Sequence, residues 1–206
     1  MSIRAITLET PDPAAAQDFY AALDLALPVG LRASTAPSSG FRGFTLSLLV
    51  PQPSTVDALV AAAQGAGATV LKPVAKSFWG YGGVVAAPDG SIWKVATSSK
   101  KEVGADVTTI DDVVLLLGVE DVKASKRFYV ENGLTVAKSF GGKYVQFESA
   151  PNQIKLALYP RRALAKDAGL APEGTGSHRI VIGSEAEPFT DPDGFVWQTD
   201  SIDAIS

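Results

Sequence analysis

The chain has 206 residues, 46% of them hydrophobic and 19% charged, with a formal charge of -4 at pH 7, one histidine and no cysteine. This is the composition of a folded protein with room for two small domains, and it excludes disulfide staples, thiolate zinc sites and cysteine nucleophiles. The acidic balance, without a basic stripe, speaks against a nucleic-acid partner, and no apolar run nears the ~18 residues of a membrane span. Met1-Ser2-Ile3-Arg4 lacks the charged-then-apolar order of a signal peptide, so the cytoplasm is the expected location.

In chain order, Ile6-Thr7-Leu8 reads as a strand, and Asp12 suits a helix N-cap ahead of Pro13, whose fixed φ suits a first turn. Ala16, Phe19, Tyr20 and Leu23 then recur at helical spacing on one face. A strand begins at Phe44. Ser54-x-x-Asp57 reads as the capped start of an alanine-rich helix with Val56, Leu59, Val60 and Ala63 inward and Gly67 as its stop. Strands are expected around residues 69–71, 83–86 and 92–96, the last two joined by a Pro88-Asp89-Gly90 turn in which Pro presets one angle and Gly accepts positive φ. Residues 97–109 are polar and aperiodic, as a linker should be.

Beyond the linker the opening repeats. Leu115-Leu116-Leu117, Asp121, Phe128-Tyr129 and Leu134 follow Ile6-Thr7-Leu8, Asp12, Phe19-Tyr20 and Leu25 at an offset of 109. Pro192-Asp193-Gly194-Phe195-Val196-Trp197 follows Pro88-Asp89-Gly90-Ser91-Ile92-Trp93 at an offset of 104. An internal repeat of this kind divides the chain into domains at residues 1–99 and 108–206. The spacing between the two motifs is uneven: the first copy is short in its first half and the second in its second half. Of four strand-helix-strand units, those near residues 44–96 and 110–160 are complete, and those near 3–43 and 175–203 are abbreviated.

These motifs, with the Ala66-to-Pro73 turn and Phe78-Trp79-Gly80-Tyr81-Gly82, resemble the glyoxalase/bleomycin-resistance/dioxygenase superfamily, also called vicinal oxygen chelate proteins. The resemblance spans nearly the whole chain and implies an α+β fold of repeated βαβββ units whose strands pair into curved mixed sheets. In enzymes of that superfamily the cleft chelates a divalent metal. Carried onto this sequence, the ligand positions fall at Ala5 and Val114 on the first strands, Ala157 on a fourth strand, Thr45 on a fifth, and Lys94 and Gln198 after the Pro-Asp-Gly turns. Only His178 stands where a ligand is wanted. A catalytic metal needs three or four good donors, so the expectation is no metal and no cofactor, and the glyoxalase reaction is not supported.

Other residues invite two readings each. His178 is either a general base in the cleft or a structural residue that donates to a backbone carbonyl. Lys94 either binds an anion or acts as an amine nucleophile, or it is turned outward and solvated. Arg161, Arg162 and Lys166 form either an anion clamp or the charged face of a surface helix. The aromatic set is expected to face a ligand, and Gly80, Gly82 and Gly83 to allow its close approach.

Because a full cleft needs two complete units, the principal pocket is expected between residues 44–96 and 110–160, walled by Phe78, Trp79, Tyr81, Lys94 and Tyr144, with His178 displaced toward the smaller sheet. The function so implied is metal-independent binding of an aromatic or drug-like small molecule, as in the bleomycin-resistance branch, by a monomer or homodimer. The alternative is a lyase, isomerase or other enzyme that uses His178 or Lys94 for acid/base catalysis.

Overall fold

A computed structural model describes residues 2–22, 29–78, 80–104 and 109–199. The first unit comprises β1 (Ile3–Thr10), α1 (Pro13–Ala22), β2 (Val29–Ala33) and β3 (Ser38–Gly40). The second comprises β4 (Phe44–Leu49), α2 (Pro53–Gly65), β5 (Thr69–Ser77), β6 (Gly80–Ala86) and β7 (Ile92–Thr97). The third comprises β8 (Asp112–Val119), α3 (Val122–Glu131), β9 (Val136–Ser139), β10 (Val145–Phe147) and β11 (Lys155–Pro160). After it come α4 (Arg161–Ala168), β12 (Gly174–Gly176), β13 (Ile180–Ser184), β14 (Phe189–Thr190) and β15 (Val196–Thr199).

The two complete units join edge to edge in an eight-stranded sheet of order β5-β6-β7-β4-β8-β11-β10-β9, sealed by the antiparallel pair β4–β8. The abbreviated units share a five-stranded sheet of order β14-β15-β13-β1-β2, sealed by β1–β13, and β12 pairs with β3 in a small ribbon. Each sheet therefore takes strands from both sequence repeats, and the partnership of residues 44–97 with 112–160 follows unit completeness. This is the α+β arrangement of paired βαβββ units in mixed sheets.

The central strands are buried on both faces. Phe44, Leu46 and Leu48 of β4, with Leu115 and Leu117 of β8, enter one core shared with Val56 and Val60 of α2. Each such fully buried side chain contributes about 1.5–3 kcal/mol. Thr45, Ser47, Val114 and Ala157 point to the opposite face yet are also buried, which requires a cover on that side.

The helix starts show where local signals decide and where they do not. Asp121 caps α3, accepting from Lys123 N at 2.8 Å and Ala124 N at 3.2 Å, and Asp12 accepts from Ala15 N at 3.1 Å. The expected Ser54-x-x-Asp57 cap does not form. α2 is capped two residues earlier and starts at Pro53, its N-cap Gln52 makes no side-chain cap, and Glu102 from the linker receives Ser54 N at 3.2 Å and Ser54 Oγ at 2.6 Å. Gln52 instead holds the linker, accepting from Val103 N at 2.8 Å and donating to Gly104 O at 3.0 Å. A carboxylate at a helix N-terminus is favoured whichever residue supplies it. The expected stop is present, with Gly67 at φ +99° just past the C-cap; Leu23 lies outside the described residues.

Candidate functional site

Strand register assembles the concave face of the eight-stranded sheet. One cross-strand row runs Lys72–Val84–Lys94–Ser47–Val114–Lys155. Beside it run Thr45–Leu116–Ala157–Gln146 and Ala75–Gly82–Ala96–Leu49–Asp112. Since alternate residues share a face, the superfamily's expected ligand positions in this sheet, Val114, Ala157, Thr45 and Lys94, all lie on it.

Helix α4 covers the middle of this face. Leu164 and Ala165 pack with Phe41 against Leu116 and Tyr159, and Ala168 packs against Val84 and Ile92. Arg161 anchors its start, donating from Nη2 to Phe41 O at 2.6 Å and from Nε to Pro172 O at 3.1 Å. The approach is tight: a Cβ on Gly118 would sit 2.9 Å from Gly43 O and 3.1 Å from Arg161 Cα. Arg161, Arg162 and Lys166 thus belong to a helix that buries its other side. Arg161 is committed to backbone carbonyls, and the three do not form an anion clamp.

Beside the C-terminal end of α4 an opening of about 320 Å³ remains over β5–β7. Lys94 faces it and pairs with Asp167 of α4 at 2.6 Å, the two side chains being 36% and 47% exposed. Lys72 Nζ donates to Lys166 O at 2.8 Å on the same side.

Of the other expected wall residues, Tyr81 also lines this opening, and Phe78 and Tyr144 are not among its lining residues. The Tyr81 phenol reaches α2 and donates to Asp57 Oδ1 at 2.8 Å, a bond that raises it above the ordinary value. Phe78 is 82% exposed at the β5–β6 turn, and Trp79 lies outside the described residues. Tyr144 sits four strands from Lys94, roughly 19 Å at ordinary strand spacing, edge-on to Tyr159 and donating to Gln146 Oε1 at 3.1 Å; burial raises its phenol as well. Gly80, Gly82 and Gly83 line the opening, and the first two also allow close approach of the chain itself. A Cβ on Gly80 would fall 2.0 Å from Thr97 O, and one on Gly82 2.7 Å from Val95 O.

His178 lies at the approach to β13, away from Lys94. Its Nδ1 is 2.5 Å from Arg42 O and its Nε2 3.0 Å from Asp193 O, with the ring stacked on Phe195 at 4.0 Å. Each ring nitrogen faces a backbone carbonyl, so the residue lies between the segment before β4 and the second Pro-Asp-Gly turn rather than reaching the opening beside Lys94.

The repeated motifs meet in two polar nodes that sequence reasoning did not join. Tyr20 of α1 donates to Asp89 Oδ2 at 3.0 Å and lies 2.9 Å from Ser91 Oγ, while Trp93 Nε1 donates to Tyr20 Oη at 3.3 Å. Tyr129 of α3 donates to Asp191, and Trp197 Nε1 donates to Tyr129 Oη at 3.3 Å. Each node fastens a helix of one unit to the closing turn and strand of the next. Burial, with the neighbouring carboxylate second, pushes both phenols above their ordinary value. Burial also raises Asp191 despite its hydrogen bond from Tyr129. The available signal was that the Phe-Tyr and Trp motifs recur together, in the same order, in both halves of the chain.

A chelated metal does not fit these residues. Val114 and Ala157 have no donor atom, Thr45 offers a neutral hydroxyl and Lys94 a cation, and among the described residues no three His, Cys, Asp or Glu side chains come together.

The fold is glyoxalase-like. The chain is similar to a putative dioxygenase from Bacillus subtilis, at 14% identity and a TM-score of 0.60 over 96% of this chain and 84% of that one. It is also similar to glyoxalase I from Zea mays, at 13% identity and a TM-score of 0.62 over 95% of this chain and 90% of that one. Likeness at this identity establishes architecture. No family model matches the chain, and no curated protein matches it in sequence. Among the described residues no helix is long and apolar enough to cross a membrane.

Proposed function

We propose that this chain is a metal-independent small-molecule-binding protein of the cytoplasm, working as a monomer or homodimer. The observation that carries the reading is the chemistry of the concave face. Val114, Ala157, Thr45 and Lys94 stand at the positions where the superfamily's enzymes hold their metal, and α4 lies across the middle of that face. What stays open is a single-sided cleft over β5–β7 whose volume, about 320 Å³, is at the lower end of ordinary small-molecule sites. The enzymatic alternative has less behind it: His178 faces two backbone carbonyls and stands apart from Lys94, so the two do not form one acid/base site.

The test is elemental analysis of purified protein after loading with Zn²⁺, Ni²⁺ or Fe²⁺ and dialysis, with mass spectrometry of co-purifying organic molecules from the same sample. The expected result is metal well below one equivalent together with a bound organic mass. Stoichiometric metal that survives dialysis would overturn the reading.

A further inference from the structure

The open cleft is locally cationic in a chain of net charge -4: Lys72, Lys76 and Lys94 stand around it with a single carboxylate, Asp167. Lys72 and Lys94 occupy one row of the sheet with Val84 between them, so their backbones lie two strand spacings apart, about 10 Å. Flexible four-carbon stems let both ammonium groups meet over that gap. The floor beside them is the row Ala75–Gly82–Ala96, small residues that leave a flat surface without polar side chains.

Both lysines rest on partners that tolerate their departure. Asp167 is about half exposed, so water replaces Lys94 at little cost, as at other solvent-accessible ion pairs. The carbonyl of Lys166, which accepts from Lys72, also accepts from Gly169 N at 3.1 Å in the left-handed turn that ends α4. It stays satisfied when Lys72 leaves.

Building on the metal-independent binding reading above, we propose that this cleft takes a small organic anion, a carboxylate or phosphate ester with a flat apolar body. Its charged group displaces Asp167 and is held between Lys94 and Lys72, while the body lies on Ala75, Gly82 and Ala96. Asp167 is then a built-in competitor that occupies Lys94 until the ligand arrives.

Three probes of similar shape test this by amide chemical shifts of the isotopically labelled full chain: benzoate, phenyl phosphate and neutral benzamide. Benzoate and phenyl phosphate are expected to shift Gly82, Gly83 and Ala96 and to bind about tenfold or more tightly than benzamide, with the advantage shrinking as salt screens it. The tighter of the two anions identifies the head group. Lys94→Met removes the advantage, whereas Asp167→Asn tightens anion binding severalfold because the competing carboxylate is gone. If benzamide binds at these amides as well as the anions do, or Asp167→Asn weakens anion binding, the anion assignment fails and the ligand-binding reading stands. If none of the three probes shifts these amides, both fail.

Discussion

Replacing Leu164 by alanine probes the helix that closes the concave face. Leu164 is fully buried in the cluster with Phe41 and Ala165 over Leu116 and Tyr159. The substitution removes three carbons, worth about 0.8 kcal/mol each in transfer, so roughly 2.4 kcal/mol is lost before any cavity remains. The site is pinned by Arg161 at one end and by the strands beneath, so collapse is incomplete and a total of about 3–4 kcal/mol is expected, within the range for buried leucines. In a chain of this size that lowers the melting temperature by roughly 6–16 °C. Urea unfolding followed by far-ultraviolet circular dichroism, with an unchanged m-value, is the assay. Arg162→Ala, on the exposed side of the same helix, is the control and should stay within about 0.5 kcal/mol of the parent. A loss below about 1 kcal/mol for Leu164→Ala would show that α4 is a loosely docked surface helix and would refute the packing argument.

Three further outcomes follow. The phenols of Tyr20 and Tyr129 hold their protons more tightly in the folded chain than at their ordinary value near 10, so the unfolded chain ionises first. Stability should therefore fall as pH rises above about 10, by up to ~1.4 kcal/mol per pH unit for each phenol, and a Tyr20→Phe, Tyr129→Phe double variant should flatten that slope in pH-dependent urea titrations. Gly118→Val places its side chain against Gly43 O and Arg161 Cα, backbone atoms that cannot step aside, and should cost about 1–3 kcal/mol by the same unfolding measurement. Glu102→Ala strips the carboxylate from the N-terminus of α2 and should cost about 0.5–2 kcal/mol, with faster amide exchange at Ser54 and Thr55.

The unit plan was legible because repeats, caps and turns are local. Asp12, Asp121, Pro13 and Gly67 act within a few residues of themselves, and the uneven spacing between repeated motifs identified which two units were complete and so shared the large sheet. The site was less legible because long-range packing decides it. Arg161-Arg162-Ala163-Leu164 reads as a charged surface segment, since one leucine and a few alanines make a weak apolar stripe. Only its position across Leu116 and Tyr159 makes it a cover. Tyr81 and Gly82 are neighbours in sequence and both line the cleft, yet the Tyr81 phenol reaches Asp57 of α2. Breaks in the register of β5 between Val70 and Ala75 remove any simple count from one end of the strand to the other. The cap of α2 comes from Glu102, far along the chain, where no local motif announces it.

Probe binding measured by amide shifts in the presence of excess chelator, and again with added Zn²⁺, bears most directly on the claim that this fold binds its ligand without metal. The account predicts that benzoate moves Gly82 and Ala96 with the same affinity in both conditions. Binding that vanishes with chelator and returns with Zn²⁺ would contradict it.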